Sequence, residues 1–252
     1  TNIGTDDRNQ FDLFRCMPGG LDGVRNVTLQ LQARGVRVLW PYNPWDTGTH
    51  REPLSDEDTF AKLLKQTNGD GFNGDTMGFV PESFYTSALK ADYPLAFEPE
   101  GGGTDAALNW ATMGWGYWSY PTVPGVDRQK FITGGKFMTN ICNRWAQTKT
   151  NDLQSAWFNG CGYETWENVW GTWNGIALRD GEAIRRVGAM LRFFGGKVDS
   201  SSYPTPARDF LHSPLWEPHW RGAMQAGVFA SRFPLGNDTT HNVYTIVNRG
   251  GK

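Results

Sequence analysis

Four short apolar stretches of this 252-residue chain each run into side chains that can move protons or bind hydroxyl groups. "VRVLW" (36–40) leads to Pro41-Tyr42-Asn43-Pro44-Trp45-Asp46, and "DGFNG" (70–74) leads to Asp75. "YPLAF" (93–97) leads to Glu98-Pro99-Glu100, and "SAWFNG" (155–160) leads to Cys161-Gly162-Tyr163-Glu164-Thr165-Trp166-Glu167. If each stretch is a strand, carboxylates from neighbouring strand ends can flank one bond. Hydrolysis of a glycosidic bond needs that arrangement: one carboxyl protonates the leaving oxygen while the other attacks or activates water. Asp75 is one candidate carboxylate. Glu164 and Glu98 are the foremost proton donors, with Glu100 and Glu167 behind them. Glu164 stands ahead of Glu98 because its neighbours Tyr163 and Trp166 are apolar company that raises a carboxyl pKa. Asn43, Trp45, Asp46, Glu100, Asn159, Tyr163, Trp166 and Glu167 are expected to bind substrate. A lone Asp or Glu after a strand is commonly a cap or turn former; the coincidence on four strand ends points to chemistry.

The composition suits that substrate class. Aromatic residues make up 14% of the chain, with 12 tryptophans and 31 glycines. Such residues either pack an aromatic core or offer flat apolar faces on which the C–H faces of sugar rings can stack. A formal net charge of −2 gives no steering toward nucleic acid or an anionic membrane, and no apolar run is long enough for a membrane span. Three cysteines (Cys16, Cys142, Cys161) allow at most one internal bridge. The four histidines lack ligand spacing, so neither metal nor cofactor is expected. "GGGT" (101–104) lacks the lysine of a phosphate-binding loop, and no Gly-x-Ser-x-Gly marks a serine esterase. Sequons at Asn26 and Asn237 fit a secreted or lumenal glycoprotein. The chain opens on Thr1, and its N-terminus is expected to be incomplete.

Strands and helices alternate through the first three quarters. Helices are predicted from Leu21 to about Gly35, over "SDEDTFAKLLKQ" with a Ser55/Asp58 cap, over "PESFYTSALKA", from about Asp127 to Thr148, and from Asp180 to Phe194. Strands are predicted at the four stretches above and around "WATMGWGYWSY" (110–120). This rhythm predicts an α/β fold with a parallel sheet under helices. With no dinucleotide fingerprint, a (β/α)8-type barrel over residues 1–196, lacking its first strands, is the expected form. Residues 197–252 are expected to form a linker and the start of a β-sandwich-like module, through "AGVFASRFP" and "HNVYTIVNR" joined by the turn "LGNDTT".

"GLDGVRNVTLQLQARGVRVLW" followed by "GDGFNGD" resembles retaining glycoside hydrolases of the α-galactosidase and α-glucosidase-like clans. There a helix leads into an Arg-Gly-(Val/Leu)-Lys/Arg-Val strand, and a later Asp-Gly-Phe-x-x-Asp strand carries the nucleophile. Asp75 falls on that position, and "IALRDGEAIRRVGAMLRFFG" is similar to the last barrel helix. The resemblance implies a barrel hydrolase acting on oligo- or polysaccharide, with Asp75 as nucleophile. Two departures stand out: Asn73 occupies a position where lysine is common, and "WATMGWGYWSY" offers no carboxylate where those clans keep their acid/base. The alternative on the same barrel is a carbohydrate-binding or structural extracellular protein without catalysis.

Overall fold

The computed structural model describes residues 9–101, 104–111, 113–116, 122–143, 148–165, 168–169, 172–173, 175–195, 209–224 and 228–249. The chain divides into two compact units, residues 1–114 and 115–252.

The first unit is built on three parallel strands, β1 (Leu39–Tyr42), β2 (Gly71–Gly74) and β3 (Ala96–Pro99), in the order β1-β2-β3. Four helices accompany them: α1 (Asp12–Arg15), α2 (Gly20–Gln32), α3 (Asp56–Thr67) and α4 (Glu82–Lys90). The Ser55 hydroxyl accepts the Asp58 N–H at 3.2 Å and so caps α3, whose first turn is acidic and therefore suited to the positive end of the helix dipole. Side chains alternate across a strand. Register therefore puts Trp40, Tyr42, Phe72 and Phe97 on one face and Asn73 and Glu98 on the other. On the first face Phe72 meets Phe84 at 4.9 Å and Phe97 at 5.3 Å between ring centroids, Tyr42 meets Phe60 at 5.1 Å, and Phe14 stacks on Trp40. Much of the aromatic content is thus a packed core.

Two features lock the strands in register. Gly71 faces the neighbouring backbone so closely that a Cβ would lie 1.9 Å from the Ala96 carbonyl oxygen, and only glycine fits. The Asp70 carboxylate accepts from the Val38 N–H at 2.8 Å, from Gln32 Nε2 at 2.9 Å and from Arg37 Nη1 at 2.9 Å. It joins the end of α2 to the starts of β1 and β2.

In the second unit β4 (Met113–Gly116), at which the chain divides, β5 (Met138–Cys142) and β6 (Tyr163–Glu164) form a three-stranded sheet, with β5 and β6 parallel. Helix α5 (Arg128–Ile132) precedes β5, and α6 (Thr150–Asn159) precedes β6. A short ribbon of β7 (Asn168–Val169) and β8 (Thr172–Trp173) is followed by α7 (Leu178–Gly195), α8 (Arg221–Met224) and an antiparallel hairpin of β9 (Phe229–Leu235) and β10 (Asp238–Val247). The hairpin bonds to α6, where Thr245 Oγ1 donates to the Phe158 carbonyl at 3.2 Å and Arg249 Nη2 to that of Asn151 at 3.1 Å.

Several expectations are corrected. No sheet of eight strands exists among the described residues, so the fold is not a (β/α)8 barrel. Its strands are shared among two three-stranded sheets and two two-stranded ones, whereas closure needs every strand bonded on both sides. The β-sandwich-like start is a single hairpin on α6. The helix predicted over 127–148 breaks at Gly134 (φ 60°) and Gly135 (φ 84°), and Met138–Cys142 is extended instead. A Cβ on Gly135 would sit 2.8 Å from the His212 carbonyl carbon. "SAWFNG" is the end of helix α6, not a strand. The expected linker over 197–208 lies outside the described residues. All three cysteines are free, Cys16 exposed and Cys142 and Cys161 buried.

Candidate active site

At the C-terminal end of β1 the chain turns through Asn43-Pro44-Trp45-Asp46, closed by the Asp46 N–H to the Asn43 carbonyl at 3.1 Å. Asparagine first and proline second favour such a turn, which leaves Trp45 half-exposed at 51%. Gln10 clamps it: the side chain donates to the carbonyls of Asn43 (3.0 Å) and Asp46 (3.1 Å) and accepts the Asn43 N–H (3.0 Å). The turn is thereby rigid. Even so, Asn43 Oδ1 and Asp46 Oδ2 are buried acceptors with no donor among the described residues. Such orphans are uncommon, and a bound hydroxyl or amide could satisfy them.

The ladder continues past β2 and β3. The Asp75 N–H donates to the Tyr42 carbonyl at 2.8 Å and the Glu100 N–H to that of Gly74 at 3.2 Å. Asp75 itself is half-buried, and its carboxylate makes no hydrogen bond or ion pair among the described residues. The next residue, Thr76, sits in the left-handed region at φ 59°, where a β-branched residue is strained. The Glu100 carboxylate holds it there by accepting the Thr76 N–H at 2.8 Å. Glu98 is buried at 6% exposure, and Asn73 Nδ2 donates to its Oε2 at 3.1 Å. Asn73 and Glu98 are register partners, and Asp75 follows Asn73 by two residues. Sheet spacings therefore put the Asp75 and Glu98 Cα atoms about 8 Å apart.

The structure therefore brings together Asn43, Trp45, Asp46, Asp75, Glu98 and Glu100 on one three-stranded sheet. The remaining expected residues belong to the second unit. Asn159 closes α6 and is spent on packing: its Oδ1 accepts the Asp127 N–H at 2.8 Å and its Nδ2 donates to the carbonyls of Gly125 and Ser155. Glu164 is half-buried in β6 opposite Cys142. The neighbouring Tyr163 hydroxyl is buried without a partner among the described residues, and burial, with Asp152 nearby, raises its pKa. Trp166 and Glu167 lie outside the described residues, as do Trp118 and Trp170, while Trp115 is a core residue at 1% exposure.

Sequence reasoning missed Gln10, whose N-terminal segment has no periodicity to flag it. It also missed a polar cluster in the second unit. Asp152, buried at 1% exposure, accepts from Asn143 Nδ2 at 2.6 Å, and among the described residues its Oδ1 and the Nε and Nη1 of Arg249 have no partner. Burial raises the Asp152 pKa and lowers that of Arg249. Among the described residues no group of three or more His, Cys, Asp or Glu side chains could hold a metal ion, and no helix is long and apolar enough to cross a membrane. Comparison with protein-family models, with curated proteins and with solved structures finds no match to this chain.

Proposed function

We propose that the protein hydrolyses glycosidic bonds, with Asp75 as nucleophile or base and Glu98 as proton donor. The observation that carries this reading is the contrast between two aspartates of one motif. Asp70 is tied into the fold by three donors, whereas the Asp75 carboxylate has no partner among the described residues, beside a strained backbone and a buried glutamate. Glu98 gives a proton to the leaving oxygen. Asp75 either attacks the anomeric carbon or takes a proton from the attacking water, and the anomer of the first product distinguishes these. The Asn73 amide fixes one Glu98 oxygen, while Trp45 offers a ring face and Asn43 and Asp46 accept sugar hydroxyls.

A panel of aryl glycosides tests this reading. Asp75→Asn should lower kcat by about 1,000-fold or more with circular dichroism unchanged, in the range seen when a catalytic group is removed. Glu98→Gln should lose activity least on substrates with activated leaving groups, because those need no protonation. A Glu98→Gln protein that loses no activity on any substrate overturns the donor assignment. A folded, fully active Asp75→Asn protein overturns the assignment. The orphan acceptors of Asn43 and Asp46 also fit a binding protein without turnover; sugar binding abolished by Trp45→Ala but untouched by Asp75→Asn, with no hydrolysis, is that outcome.

A further inference from the structure

The second unit carries an open groove of about 880 Å³, between the segment 215–221, α5 and the β9–β10 hairpin, to which nothing above assigns a role. Pockets for small organic ligands span roughly 300–1,000 Å³. Phe131, Trp216 and Trp220 line it. Phe131 is 58% exposed. The Trp220 ring lies so close over Gly222 that a Cβ there would approach it to 2.5 Å, and it packs against Tyr244 at 4.8 Å between centroids. It is therefore held in place before any ligand arrives, which lowers the entropy lost on binding. Trp216 is braced by the Lys130 ammonium, 4.8 Å from its centroid, and its indole N–H has no acceptor among the described residues. His219 on the same wall sits at φ 52°, a strained position for a non-glycine residue, with Nε2 against the Pro124 carbonyl.

The charges are asymmetric. Glu217 is neutralised by Arg232 (Oε1 to Nη1, 3.1 Å), which also donates to Asn242. Arg221 is exposed and makes no hydrogen bond or ion pair with any described residue. Among the described residues one uncompensated guanidinium therefore stands beside fixed aromatic rings, and a guanidinium fork matches a carboxylate.

We propose that this groove is a saccharide-binding site in its own right, and that it takes chains bearing uronate carboxylates. Sugar faces stack on Trp220 and Phe131 while Arg221 receives a carboxylate. The site goes beyond the hydrolytic reading and uses neither Asp75 nor Glu98. Calorimetric titration of the full chain with hexagalacturonate and with hexamannuronate, against neutral cellohexaose, tests it. At least one acidic hexamer should bind at least 10-fold more tightly than cellohexaose, and less tightly as salt rises. Trp220→Ala should weaken that binding 10-fold or more. Arg221→Gln, a surface change that leaves the core intact, should erase the preference for the acidic hexamer. Asp75→Asn should bind as the parent does. Neither acidic hexamer binding at millimolar concentration, equal affinity for the neutral chain, or an Arg221→Gln protein that binds unchanged overturns the proposal. Lost hydrolysis with intact hexamer binding bears only on Asp75 and Glu98.

Discussion

Asp70 and Asp75 differ by five positions and do opposite work. Three donors converge on the Asp70 carboxylate, and although its burial favours the neutral form, the hydrogen bonds from Gln32, Val38 and Arg37 hold its pKa below the ordinary value. Its stabilisation is present above the unfolded-state pKa near 4 and fades as pH falls through the lower folded value. Asp70→Ala should destabilise the fold by about 2–3 kcal/mol in urea titrations at pH 7, since hydrogen bonds to a charged group are the strong ones. Asp75→Ala, which breaks no side-chain bond, should stay within about 0.5 kcal/mol of the parent. The sequence makes Asp75 a candidate, but only the register and the donors around them separate it from Asp70. Asn43 and Asp46 were legible as polar residues beyond a strand. That one acceptor on each would be buried and unpaired was not, because it depends on Gln10, 33 and 36 residues away.

At the scale of elements, strands β1 to β3 and helices α2 to α4 fall within a few residues of where periodicity, capping and turn chemistry place them. The failures have specific causes. The run around Ala156 to Phe158 is short and apolar, and such a run reads equally as strand or buried helix. The helix predicted from Asp127 had good spacing, but the Gly134-Gly135 pair carries positive φ values that no helix can hold. The barrel failed at a higher level, because hydrogen bonding between strands distant in sequence leaves no local signature. Two glycines rank the forces that fix these elements. Gly71→Ala drives a methyl into the β3 backbone and should cost several kcal/mol or abolish folding. Gly35→Ala meets no atom within 4 Å and suffers only from its φ of 78°, so about 1–2 kcal/mol is expected by thermal or urea unfolding.

The pH dependence of the whole chain's stability carries a mark of Lys130. It is fully buried, its ammonium donates to the Asn159 carbonyl at 2.5 Å, and Cys161, Asp127 and Asp209 favour its charged form. Burial outweighs those favourable groups and lowers its pKa to about 8 from 10.5. Between those values the unfolded chain binds more protons than the folded one, so stability should rise with pH across that window. Relative to Lys130→Met, the parent should gain up to a few kcal/mol from pH 8 to about 10.5 in urea titrations, and a flat difference would refute the buried charge. The cysteines supply a means of watching such transitions. With Cys16 at the surface and Cys142 and Cys161 sealed in the second unit, the native protein should take up one maleimide quickly and two more only as it opens. The chain thus carries its own clock for opening of the second unit, and a single attachment point for a dye on the first.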